Sequence, residues 1–181
     1  MFVVFTVGLG IIYPVTVWGV GQFFFPFKAN GSLILKEGTV TGSELLGQSF
    51  TAPGYFHSRP SAAGSGYDAA ASGGSNLGPT SKKLVERIGT DVAEIQKQNT
   101  LSNIPADLVT TSGSGLDPHI SPAAATFQVA RIARERGLTE AQVQELVEKH
   151  TQGRDLGFLG EPRVNVLLLN LDLNNISPRK Q

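Results

Sequence analysis

Residues 112–121 read SGSGLDPHIS and crowd together side chains that can do chemistry. Ser112 or Ser114 could act as a nucleophile, His119 as its general base and Asp117 as the group that orients the imidazole. Two features weigh against that hydrolase. Members of such a triad usually converge from distant parts of a chain, and the turn that exposes a nucleophilic serine carries G-x-S-x-G, which TSGSG at 111–115 does not supply. Asp117 before Pro118 fits a turn, and Gly113 and Gly115 permit backbone angles closed to other residues. With Ser121-Pro122 opening a helix, the stretch reads as a shaped strand-to-helix connection.

A second candidate is SGGSNLGPTSKK, residues 72–83. A P-loop places lysine directly after its last glycine, and here Gly78 is followed by Pro79, so that motif fails. The backbone amides of Ser72, Gly73, Gly74, Ser75 and Asn76 could still cradle an anion ahead of a helix. A third is YFHSRPSA, 55–62, where Arg59 before Pro60 sits in extended backbone beside Tyr55 and Phe56. Its guanidinium suits a carboxylate within the fold or across an interface. His57, His119 and His150 have no metal-ligand spacing, and the absence of cysteine removes thiolate chemistry and disulfides. Fifteen Lys and Arg balance fifteen Asp and Glu, which argues against a basic nucleic-acid surface.

Elements must hold these groups in place. Residues 1–27 contain no charge, and the first charged side chain is Lys28. The apolar run over 2–25 exceeds the ~20 residues that cross a bilayer core and the ~7–15 of a signal peptide's apolar region. It is therefore expected to be a membrane anchor. Pro14 should disturb the middle of its helix, and Gly10 and Pro14 are candidate contacts for other transmembrane helices. No basic residue precedes the span, so flanking charge does not set its orientation.

Residues 28–181 have the length of one domain. SLIL, GTVTG and ELLGQSF suggest short strands joined by turns. The Gly-, Ser- and Pro-rich run 52–81 suggests a long irregular loop with aromatics to bury. Leu84, Ile88, Val92 and Ile95 line one face of a first helix. Ser121, Pro122 and Gly137 punctuate a second, whose apolar face carries Ala125, Val129, Ile132, Ala133 and the amide of Gln128. A half-buried amide needs a partner, and a backbone carbonyl or another subunit's polar group is favoured over a ligand. Thr139 and Gln142 form a capping box for a third, with Leu138 and Val143 as its staple and Val143, Leu146 and Val147 on its inner side. The alternation Leu167, Leu169, Leu171, Leu173 suggests a final strand over 163–173, although Val164, Leu167, Leu168 and Leu171 also fit a helix. The expected class is α+β: a small sheet with about three helices, preceded by one transmembrane helix.

Five blocks, in order, resemble one family: GSELLGQSF (42–50), YFHSRPSA (55–62), SGGSNLGPTS (72–81), IPADLVTTSGSGLDPHIS (104–121) and RVNVLLLNLDL (163–173). With the anchor and KANGSLI at 28–34, they resemble the C subunit of the bacterial Kdp potassium-transporting P-type ATPase. The amino terminus departs from that pattern in lacking a short basic lead. The resemblance implies a non-catalytic accessory subunit, crossing the inner membrane once with its domain on the periplasmic side. Its partners would be a potassium-channel-like subunit and the P-type ATPase subunit that hydrolyses ATP. It also implies a catalytic chaperone that raises the pump's affinity for ATP. No intrinsic cofactor is implied; Ser72, Gly73, Gly74, Ser75, Asn76 and Gln128 are the positions here suited to ATP. A domain outside the membrane cannot touch cytosolic ATP, which favours a role in assembly and coupling. On this reading Tyr55, Phe56, Arg59, Pro60, Asn76, Gly113, Gly115, Asp117, Pro118 and His119 form an interface or structural motif.

Overall fold

In the computed structural model, which describes residues 1–36, 38–98 and 103–177, helix α1 runs Phe2–Phe24. It is apolar and long enough to cross a bilayer, and none of its side chains is buried within the chain. Pro14 cannot donate to the carbonyl of Gly10. The helix answers with a π-helical turn over Gly8–Ile12, in which the Tyr13 amide reaches back five residues to Gly8 O. The hydroxyls of Thr6 and Thr16 donate to Phe2 O and Ile12 O, so neither polar group faces lipid unsatisfied.

The chain divides into two compact units, Met1–Leu45 and Leu46–Gln181. The first holds α1, a single turn α2 (Pro26–Ala29) and an antiparallel hairpin of β1 (Leu33–Lys36) and β2 (Thr39–Ser43). These strands are the expected SLIL and GTVTG, with an irregularity between Ile34 and Leu35. The third expected strand, ELLGQSF, does not form: residues 44–50 are turn and irregular chain. The Gly47 amide donates to Leu116 O at 2.7 Å, and a Cβ at 47 would lie 2.7 Å from Asp117 O. The segment therefore docks its main chain on a loop instead of pairing with a strand.

In the second unit, residues 52–81 are irregular apart from one 3-10 turn at Ala69–Ala71. Helix α3 (Lys82–Gln98) follows, then β3 (His119–Ile120), α4 (Pro122–Arg136), α5 (Glu140–Lys149), β4 (Thr151–Gln152), β5 (Arg163–Asn165) and α6 (Val166–Ile176). The sheet order is β3-β5-β4, antiparallel throughout, with Ile120 and Thr151 both opposite Val164. Phe56, Ile120, Ile132, Val143, Val147, Val164, Leu169 and Leu173 build one core between sheet and helices.

Local signals explain α4 and α5. Ser121 Oγ accepts the Ala124 amide, Pro122 takes the first turn, and Gly137 leaves with φ +67. Thr139 and Gln142 close the capping box in both directions. On α3 the expected face of Leu84, Ile88, Val92 and Ile95 turns inward but stays half-exposed.

The strand expected over 163–173 is a correction. Only Arg163–Asn165 pairs in the sheet, and Val166–Ile176 is helix. Asn165 Oδ1 accepts the Leu168 amide and caps it. Val166, Leu167, Leu169, Asn170 and Leu173 are all buried and share one face of α6, while Leu168, Leu171 and Asp172 are half-buried and Asn175 and Ile176 exposed on the other. Alternation is incidental: a polar Asn170 on the inner face and apolar Leu168 and Leu171 on the outer one blur the helical period.

Candidate functional site

The four loop blocks 46–50, 55–62, 72–76 and 112–119 converge, and the groups that join them are mostly backbone. Ser61 Oγ donates to Gly115 O at 2.6 Å and accepts the amides of Ala63 and Tyr67. Ser72 Oγ and the Gly73 amide both donate to Ser114 O, at 3.0 and 2.8 Å. Gly115 has φ +68, and a Cβ there would meet Ala63 N and Gly73 O at 2.7 Å each. A Cβ on Gly74 would approach Gly113 O to 3.0 Å. Three chain segments thus pass so closely that only glycine fits between them. Asn76 has φ +51, a region asparagine tolerates better than most residues.

Arg59 ties this knot to the next segment. Its Nε and NH2 donate to Thr110 O and Thr111 O at 3.4 and 3.3 Å, and its NH1 lies 3.3 Å from Asp117 Oδ2. Tyr67 OH donates to Arg59 O. Asp117 Oδ1 accepts the His119 amide at 3.0 Å and lies 3.3 Å from His119 Nδ1. The His119 ring, then its amide and charge and the charge of Arg59, hold the Asp117 carboxyl below its usual range against a cost of burial. Pro118 O accepts the Val166 amide, which fixes the loop to the start of α6.

Beside the knot, residues 53–57 form a strap, a turn that leads into irregular chain, which side chains of α4 and α6 grip. Asn170 Oδ1 accepts the Phe56 amide at 2.9 Å, and its Nδ2 donates to Phe56 O at 3.0 Å. Gln128 repeats the pattern on His57, accepting at 2.8 Å and donating at 3.1 Å. Two amide side chains therefore act like an extra strand for the strap. Gln128 Nε2 also donates to Ala124 O, and its Oε1 accepts from Arg131 at 2.7 Å. Arg131 donates to Pro53 O and Tyr55 O, and burial lowers its pKa to about 10. Burial, and then the Arg131 charge, lower the pKa of His57. Arg136 donates to Gly54 O at 2.7 Å and stands 4.5 Å over the Tyr55 ring.

A cavity of about 370 Å³ opens next to the strap, lined by Phe50, His57, Arg59, Glu94, Phe127 and Arg131 among others. Arg59 and Arg131 line it, each making three hydrogen bonds to the chain's own oxygens.

The serine–histidine–aspartate triad, already disfavoured by the sequence, does not assemble. Ser114 Oγ accepts the Leu116 amide, His119 turns Nδ1 to Asp117, and among the described residues neither Ser112 nor Ser114 bonds His119. The positions suited to a nucleotide fall into two separate sets of bonds: Ser72 and Gly73 bind Ser114, whereas Gln128 binds His57. Tyr55, Phe56, Arg59, Asp117 and His119 all belong to the knot or the strap. Gly10 lies in the π-turn of α1, directly ahead of Pro14. Among the described residues no group of three or more His, Cys, Asp or Glu could hold a metal ion. Sequence reasoning passed over Ser61, Asp107, Arg131 and Asn170. Asp107 takes the Ser121 amide at 2.6 Å and thereby tethers the start of α4, and nothing local marks any of the four.

Comparison with known proteins gives one consistent result. The family model described as "K+-transporting ATPase, c chain" (KdpC) matches residues 1–175. The potassium-transporting ATPase KdpC subunit of Koribacter versatilis is 59% identical over 98% of this chain and 92% of its own length. That of Gemmatimonas aurantiaca is 59% identical over 93% and 85%. That of Mycobacterium tuberculosis is 54% identical over 97% and 95%.

Proposed function

Because the chain belongs to the KdpC family, the C subunits of potassium-transporting ATPases, we propose that it works as a non-catalytic accessory subunit that assembles and couples the pump. The observation that carries this reading is the closed state of the knot. Ser61, Ser72, Ser114, Arg59, Asp117 and His119 bond to backbone or to one another within the same chain, which makes a shaped surface. Helix α1 would anchor the chain once in the inner membrane, with Gly10 and Pro14 against other transmembrane helices. The remaining residues, 28–181, would lie on the periplasmic side, in contact with the channel-like and ATPase subunits. An effect on ATP affinity would travel through the complex, since a periplasmic domain does not meet cytosolic ATP.

The test is co-purification from mild detergent. The full chain should bring down two larger membrane proteins; a chain that runs alone defeats the proposal. Labelled ATP offered to the full chain in lipid nanodiscs checks the second half. No saturable binding is expected, and micromolar binding lost in a Ser72→Ala/Asn76→Ala variant would assign ATP to this chain directly.

A further inference from the structure

The cavity beside the strap has no part in the assembly role, and its charges do not cancel. Helix α4 brings Phe127 and Arg131 to it, the chain ahead of the strap brings Phe50, and α3 brings Asp91, Glu94 and Ile95. Four Arg, Asp or Glu side chains line it, and two of them are compensated. Asp91 lies 2.7 Å from Arg87, and Arg59 lies 3.3 Å from Asp117. Arg131 and Glu94 form no ion pair among the described residues.

Arg131 is the more telling of the two, because it is only 8% exposed. A buried charge is normally paired, since removing it from water is costly. The one acidic residue of α4, Glu135, lies 3.8 Å from Arg134 instead. Arg131 NH1 donates to Pro53 O and Tyr55 O and NH2 donates to Gln128 Oε1, which uses three of its five N–H groups. Its Nε bonds to none of the described residues. Nor is Nε sealed from solvent, because Arg87 Nε is the one buried side-chain nitrogen among them without a partner. A guanidinium edge thus opens on the cavity that Arg131 lines, and such an edge suits a carboxylate. Glu94 is exposed and offers the opposite charge to the same space, while Phe50, Ile95, Leu108 and Phe127 supply apolar wall.

We propose that this cavity binds a free α-amino acid with an apolar side chain. Its carboxylate meets Arg131, its ammonium faces Glu94, and its side chain packs on the apolar wall. Each charge answers one that the chain leaves uncompensated, which an anion or a cation alone does not do. The volume of about 370 Å³ suits a small ligand, at the lower end of the ~300–1,000 Å³ usual for binding pockets. This site goes beyond the accessory role and does not depend on it.

The experiment is calorimetric titration of the full chain in lipid nanodiscs with three probes that share one ring. L-Phenylalanine carries both charges, 3-phenylpropionate lacks the ammonium, and phenethylamine lacks the carboxylate. L-Phenylalanine should bind saturably, with a Kd of about 1 mM or tighter. Phenethylamine leaves the buried Arg131 unmet and should bind at least about tenfold more weakly. 3-Phenylpropionate forgoes only an exposed pair and should lose about two- to fivefold. Glu94→Gln changes a surface side chain and should cost L-phenylalanine the same two- to fivefold, with no loss for 3-phenylpropionate. No saturable binding of L-phenylalanine overturns the site. So does either analogue binding as tightly as L-phenylalanine, or an undiminished affinity for it in the Glu94→Gln chain. Co-purification reads assembly separately, so either reading can fail alone.

Discussion

The knot around Gly115 and the tip of the β4–β5 connection, residues 154–161, are opposites. The knot holds Ser61, Ser72, Ser114, Arg59, Asp117 and His119 within bonding distance of one another or of backbone, and each makes at least one such bond. The tip is poor in reactive groups, yet it leaves two large apolar side chains, Leu156 and Phe158, in water on a strained turn braced by Arg154 and Glu161. A density of serine, histidine and aspartate marked backbone architecture in one region.

The contrast can be broken experimentally, starting with the strongest effect. Gly115→Val forces a β-branched residue to φ +68 and drives its Cβ into two backbone atoms that cannot rotate away. A loss of about 3–5 kcal/mol is expected from strain and overpacking together, enough to abolish folding or assembly and growth at limiting potassium. Normal growth would show that the knot is not structural.

Gln128→Ala comes next. It removes two bonds to His57 and one acceptor from the buried Arg131, and should cost about 2–4 kcal/mol in a denaturant melt. A loss that is confined to ATP affinity, with the melt unchanged, would restore the nucleotide role.

Asp172 gives a smaller, pH-dependent effect. Lys149 first, and then His150, lower its pKa from 3.8 to about 2, with both nitrogens 2.8 Å from Oδ2. A carboxylate depressed in the folded state stabilises above its unfolded pKa and loses that contribution as pH falls through the folded one. Asp172→Asn should therefore melt below the wild type at pH 6, and the gap should close between about pH 4 and pH 2. The pair is partly exposed, so the gap is expected to be about 1 kcal/mol or less. A gap that widens in acid would reverse the assignment.

Ser114→Ala should do least. It deletes one local acceptor for the Leu116 amide, about 0.5–1 kcal/mol, and leaves transport near normal.

How much of this was legible in the sequence varies by element. The caps of α4 and α5 could be read because they are local: Ser121, Pro122, Gly137 and the Thr139–Gln142 box each act within four residues. Gln128 could be recognised as an amide in need of a partner, and of the two favoured choices, a backbone carbonyl or another subunit's polar group, it finds the first on His57. The identity of that partner, 71 residues away, was not legible. Helix α6 was misjudged because a buried Asn170 on its inner face and half-exposed Leu168 and Leu171 on its outer face blur the helical period, and Asn165 as a cap was the overlooked signal. ELLGQSF was misjudged because its apolar residues suggested pairing, whereas Gly47 sets its path through a close approach to Asp117. Arg131 and Asn170 carry the strap through contacts that only tertiary structure creates.

The account's central claim is that the serine- and histidine-rich stretch shapes a subunit and performs no reaction. The most direct measurement is potassium-stimulated ATP hydrolysis by the purified complex containing the Ser112→Ala/Ser114→Ala chain. The account predicts the wild-type rate. A rate that falls to the level of a complex lacking this chain, with the variant folded and fully incorporated, would contradict it.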